Sequence, residues 1–120
     1  MRVLQQKLLN SRNGNVIANR IMMADNYWLR LRGLVGRPVL QTGEAMWITR
    51  CQQVHTQFMK VPLDLIFIDK HMVVKRVVTG IKPWRFSPWV KEAHAVIEMT
   101  AADRLSVQEG DLLVLEETSA

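Results

Sequence analysis

The sequence predicts a mainly β protein bordering on α+β: one compact antiparallel domain, barrel-like or sandwich-like, with a single short helix. Three observations carry this. Short apolar segments recur at strand length, separated by turn signals such as Asn13-Gly14 and Glu109-Gly110-Asp111. Only residues 26–35 space their apolar side chains with a helical period. At 120 residues with no linker, repeat or low-complexity tract, the chain has room for one core, so residues 1–120 are read as a single domain.

Residues 2–9 and 15–22 read as two strands joined through 10–14, where Asn13 and Gly14 both tolerate positive φ. Asp25 can cap a helix over 26–35 that places Tyr27, Trp28, Leu31, Leu34 and Val35 on one face. Gly36 stands where a left-handed carboxyl cap would, and Pro38 prevents continuation. Ala45–Arg50 is a short strand. Leu63–Asp69 is the clearest strand, and Val73–Val78 follows closely enough to form an antiparallel hairpin with it. His94–Met99 alternates moderately. Thr100–Leu105 suits one helical turn, with Thr100 as cap and Asp103 at the third position. Leu112–Glu116 closes the set.

Composition excludes several classes. With 48% apolar and 22% charged residues the chain is neither disordered nor collagen-like. No stretch approaches the roughly 20 apolar residues that cross a bilayer. The residues after Met1 lack the apolar core of a secretory leader, and the single Cys51 cannot form an internal disulfide; both point to a cytoplasmic protein. The net charge of +5 is uneven: residues 1–60 carry 9 Lys+Arg against 2 Asp+Glu, and residues 61–120 carry 7 against 9. A basic half can meet nucleic acid or another anion, but folding mixes the halves, and charge by itself argues solubility rather than partner.

The densest polar segment is residues 51–64, with Cys51, His55, Thr56, Met59 and Asp64. Cys51 and His55, with His71 and His94 further off, fall short of the four ligands structural zinc requires, so no metal and no cofactor are expected. A Cys51–His55 nucleophile would need contact between the two and an oxyanion turn, which no glycine beside Cys51 supplies. His55 as base with Asp64 orienting it is the weak catalytic candidate; the plainer alternative has both residues fixing loops. A second distinctive segment, residues 82–91, interleaves Trp84, Phe86 and Trp89 with Lys82, Arg85 and Lys91, and its two prolines exclude a helix. Exposed, it would stack rings on bases or sugars while its cations meet phosphate. Buried, it would be a lid over one end of the domain.

Arg32-Gly33-Leu34-Val35-Gly36-Arg37, the run His55-Thr56-Gln57-Phe58-Met59-Lys60-Val61-Pro62-Leu63-Asp64-Leu65-Ile66-Phe67-Ile68-Asp69, Pro83-Trp84-Arg85 and Gly110-Asp111 together resemble the bacterial and archaeal family called domain of unknown function 192, over roughly residues 25–117. The resemblance implies a compact, mainly β domain and brings no activity with it. The family pattern often has a glycine before the second hairpin strand, where this chain has His71-Met72, which puts the tight turn in question. The function expected is a small ligand-binding or accessory module with a groove around residues 51–64 and 82–91. Its binding residues would be Arg32, Arg37, His55, Thr56, Met59, Asp64 and Trp84. Its partner would be a small molecule or a protein. A hydrolase or transferase using His55 and Asp64 is the alternative, with nucleic-acid binding or a purely structural role behind it.

Overall fold

The computed structural model describes residues 2–24, 39–102 and 105–117. These form nine strands: β1 (Arg2–Leu4), β2 (Gln6–Asn10), β3 (Val16–Ala18), β4 (Arg20–Ala24), β5 (Glu44–Thr49), β6 (Leu63–Ile68), β7 (Val74–Ile81), β8 (Ala95–Thr100) and β9 (Leu113–Glu117). They make a six-stranded sheet, ordered β1-β4-β5-β8-β6-β7, and a three-stranded sheet, ordered β3-β2-β9. The mainly β expectation holds. The architecture is two packed sheets and not a closed barrel.

Each of the two strands expected at the amino end is two strands. The first breaks at Gln5 and the second at Asn19, so one hairpin bends across both sheets. Leu4 pairs with Ile21 in the large sheet, and Leu8 pairs with Ala18 in the small one. The corner is held at Gly43, whose carbonyl accepts from Asn19 N (2.9 Å) and Arg20 N (3.1 Å). Gly43 has φ +86°, and a Cβ there would lie 2.8 Å from Asn19 Oδ1. The position therefore requires glycine for its backbone angle and for the closeness of its neighbour.

One pair departs from the antiparallel expectation: β4 and β5 run parallel, Ile21 beside Ala45 and Met23 beside Trp47. Parallel neighbours need a crossover of about a dozen residues or more, and the chain between Ala24 and Glu44 is long enough for one. The helix expected at 26–35, with Arg32 and Arg37 in and after it, lies outside the described residues. So does Asp103 of the expected helical turn. Its proposed cap, Thr100, ends β8 instead and donates its hydroxyl to Leu40 O at 2.8 Å, and the described residues Ala101, Ala102 and Leu105 are not helical.

The central strands of the large sheet are buried on both faces, which explains why β6 is apolar at every position but Asp64 instead of alternating. On one face Ile66, Ile97 and Trp47 pack with Leu8, Ala18 and Leu113 of the small sheet. On the other, Leu65, Phe67, Met46 and Val96 pack beneath irregular chain carrying Val54, Val90 and Ala93. This second face has loops for a roof, and those loops are the two segments singled out by their chemistry.

The β6–β7 hairpin forms as expected, and its missing glycine is accommodated. Asp69 Oδ1 accepts from His71 N (2.8 Å) and Val73 N (3.0 Å), and Met72 takes the left-handed conformation at φ +65°. The carboxylate supplies the turn geometry a glycine would have made easier.

Candidate functional site

Residues 52–59 and 84–90 are zipped into an irregular ribbon. Ser87 N donates to Val54 O (2.9 Å), Val54 N to Ser87 Oγ (3.0 Å), Thr56 N to Arg85 O (2.8 Å) and Val90 N to Gln52 O (2.9 Å). Gln53 Nε2 adds a bond to Ser87 O at 2.9 Å. Neither segment is a regular strand, because Pro83 and Pro88 cannot donate to a ladder.

Thr56 pins the ribbon. It is fully buried, and its hydroxyl sits between the ends of the Lys82–Arg85 turn. It donates to Lys82 O at 2.7 Å and accepts from Arg85 N at 2.8 Å. Trp84 N in turn donates to Thr56 O at 3.0 Å. Inside this turn Pro83 comes first and Trp84 second, with φ +63°. On the facing segment Met59 N donates to Thr56 O (3.2 Å), closing a turn whose third residue, Phe58, has φ +65°. Both are positions that normally take glycine; a left-handed conformation costs a side-chain-bearing residue roughly 1–2 kcal/mol. Here each carries a large aromatic ring, and strain of this kind clusters at functional sites.

The rings point outward. Phe58, Trp84, Phe86 and Trp89 are 63%, 57%, 67% and 64% exposed. Phe58 and Trp84 meet edge to face with centroids 4.7 Å apart, and Phe86 stands at 6.4 Å from the His55 ring. The lid expected of segment 82–91 is therefore not what these rings form. Pro83, Ser87 and Val90 turn inward and the aromatics turn out.

Around the rings the charge has one sign. Residues 50–62 and 82–91 carry Arg50, Lys60, Lys82, Arg85 and Lys91 and no Asp or Glu. All five are exposed. Lys60, Lys82 and Lys91 enter no ion pair among the described residues.

The expected site residues separate. His55, Thr56, Met59 and Trp84 belong to the ribbon, though Thr56 lies beneath its surface and Met59 packs into the core below. Arg32 and Arg37 lie outside the described residues. Asp64 is elsewhere. It sits opposite Met99, on the face of the large sheet that meets the small sheet, whereas Val54 and Met59 pack against the other face. Its Oδ1 accepts from Gly80 N (2.8 Å) and its Oδ2 from Ala102 N (3.1 Å). No hydrogen bond joins it to His55, whose buried Nδ1 has no hydrogen-bond partner among the described residues. The loop-fixing role considered for His55 is thus not served by a hydrogen bond at Nδ1, and the Thr56 hydroxyl holds the loop. Cys51 Sγ lies 3.2 Å from Gln53 O. Among the described residues no three His, Cys, Asp or Glu side chains gather as a metal would need.

One buried group escaped the sequence reading. Glu98 lies at the centre of β8, in a row running Met22, Met46, Glu98, Leu65 across four strands. It is only 4% exposed, and burial among these side chains pushes its carboxyl up to about 8. The signal was a lone carboxylate inside the otherwise apolar Ala95–Met99.

Fold and ribbon together define a small two-sheet β domain that carries its conspicuous chemistry on paired loops over one sheet face. The family model described as "Uncharacterized ACR", domain of unknown function 192, matches residues 8–115, and the chain belongs to that family. The UPF0127 protein of Thermococcus sibiricus is 32% identical over 94% of this chain and 79% of its own length. The UPF0127 protein of Pyrococcus furiosus is also 32% identical, over 88% of this chain and 95% of its own. A crystal structure of a protein of unknown function from Novosphingobium aromaticivorans shares the fold, with a TM-score of 0.78 and 22% identity over 93% of this chain and 84% of that one. No helix among the described residues is long and apolar enough to cross a membrane.

Proposed function

We propose that the domain is a ligand-binding or accessory module, and that the ribbon formed by the 51–64 and 82–91 segments is its binding surface. One observation supports this above the rest: Phe58 and Trp84 are exposed aromatic rings on left-handed backbone, braced from below by a buried threonine. A fold gains little from placing large rings in water on strained backbone. A surface that must present rigid rings gains pre-organisation, since side chains already fixed lose less freedom when a ligand arrives. His55 and Met59 belong to this surface as its inner wall, and Trp84 is its outer one. A cytoplasmic site of action is part of the proposal, supported by a single cysteine that cannot form an internal disulfide.

The test uses the fluorescence of Trp84 and Trp89 in the full chain. It is titrated with neutral oligosaccharides, polyanions and lipid vesicles, alongside a Phe58→Ala/Trp84→Ala double variant. At least one class should perturb the native protein and leave the variant unaffected. If none does, the ribbon is not a binding surface.

A further inference from the structure

We infer that the ribbon takes a single-stranded nucleic acid, with bases on its rings and phosphates on its cations. The inference rests on the binding-surface reading and names the chemistry of the partner. Its ground is charge complementarity. Residues 50–62 and 82–91, which hold Phe58 and Trp84, carry Lys60, Lys82, Arg85 and Lys91 and no carboxylate; the nearest carboxylates in sequence are Asp64, which lies on the other sheet face, and Glu92. A neutral sugar platform needs ring faces and hydrogen-bonding side chains; it has no use for an unbroken positive field. An inserting membrane loop needs its apolar residues at the tip and its cations behind them. Here the order along the chain is Lys82, Trp84, Arg85, Phe86, Trp89, Lys91, with cations on both sides of the rings and Arg85 between Trp84 and Phe86. That interleaving suits a polymer that alternates flat apolar faces with anions. Double-stranded nucleic acid fits less well, because its base faces are already stacked on one another.

The ribbon's rigidity sets what it can read. Trp84 N, Arg85 N and the Lys82 and Arg85 carbonyls are all engaged with Thr56, so these four main-chain groups of the turn are already committed and do not read a base edge. Binding would be sequence-tolerant, since every base has a face to stack.

The experiment measures quenching of Trp84 and Trp89 fluorescence by an oligothymidine of about 12 nucleotides, with a duplex of the same length, inorganic polyphosphate and phosphatidylglycerol vesicles as comparators. Binding of the single strand should exceed that of the duplex. Four phosphate contacts on a single strand give a log–log salt slope of about −2.8, so affinity should fall roughly 50-fold between 50 and 200 mM salt. Trp84→Ala should weaken binding roughly 5- to 150-fold, the range for loss of one stacked base, with the slope unchanged. Lys82→Gln with Lys91→Gln should lower the slope by about 1.4. Because the Trp84 and lysine side chains are exposed, these variants should fold normally, and circular dichroism verifies that. Equal binding of polyphosphate and oligothymidine, or Trp84-dependent binding of vesicles with none of oligothymidine, would overturn the nucleic-acid inference while leaving a binding surface. No binding by any of the probes would overturn the nucleic-acid inference, and the broader panel described above then decides the surface itself.

Discussion

Glu98→Gln tests the electrostatics of the large sheet most directly. Burial raises the Glu98 carboxyl from about 4.5 to about 8, so near neutrality the folded protein holds a proton there that the unfolded chain has released. A group whose folded value is raised contributes stability that is complete below its unfolded value and is lost as pH rises through the folded one. The window here runs from about pH 4.5 to about pH 8. Linkage over these two values gives a loss of roughly 3 kcal/mol between pH 6 and pH 9. Glutamine keeps the shape and cannot ionise. The variant should therefore match the native protein within about 1 kcal/mol at pH 6 and exceed it by roughly 3 kcal/mol at pH 9. Urea unfolding at the two pH values measures the difference, and every group other than residue 98 is common to the two proteins. Parallel pH profiles would mean that Glu98 is ionised in the fold, and the account of its burial would be wrong.

Three further outcomes follow from the same geometry. Thr56→Val keeps the side-chain shape and removes the hydroxyl from between Lys82 O and Arg85 N; it should cost about 1–3 kcal/mol of folding stability in urea denaturation. It should also loosen Trp84, visible as a shift in its fluorescence. A double-mutant cycle on Phe58→Ala and Trp84→Ala should give a coupling of about 0.5–1.5 kcal/mol from their edge-to-face contact, and additivity would show that the rings do not meet in solution. In the turn between β2 and β3, Arg12 Nε donates to Asp111 Oδ1 at 2.7 Å and, with help from Gln108 N and Asn10, holds that carboxyl at about 2. A depressed value gives stability that is present above the unfolded carboxylate range and lost as pH falls through about 2. Arg12→Ala should move the Asp111 titration upward in NMR, and an unmoved value would assign the depression to Gln108 and Asn10.

Some of this was open to inspection in the sequence. The β6–β7 hairpin announces itself because β6, buried on both faces, is apolar at every position but Asp64, and a short turn leads from it to the Val-rich β7. The corner at Asn19 does not, because its cause is Gly43, more than twenty residues away, and no local pattern records that approach. The parallel β4–β5 pair was hidden for a related reason: strand direction depends on how the intervening chain returns, which periodicity does not carry. At the proposed site, residue types singled out two segments that do pair in space, but suggested a His55–Asp64 partnership that the structure does not make. His55 and Asp64 are nine positions apart, and proximity in sequence suggested a dyad. Position 64 is the second residue of a strand whose side chains alternate between faces, and Asp64 falls on the face away from the His55 loop. Thr56 looked like a ligand contact because it sits in the motif; only the spatial return of residues 82–85 makes it a brace.

The bent hairpin has a consequence for how the chain acquires its structure. β2 must pair with β9, joining Asn10 to Leu113 and Gln6 to Glu117, so the small sheet remains unfinished until nearly the whole chain has been synthesised. Because β1 and β2 are continuous apart from Gln5, that delay falls on one edge of the large sheet as well. Loop-closure entropy of this size puts folding in the millisecond-to-second range and not the microsecond range. Until then Leu8, Ile66 and Ile97 lack their cover, and a ribosome-bound chain would present the same apolar sheet face that the finished protein hides best.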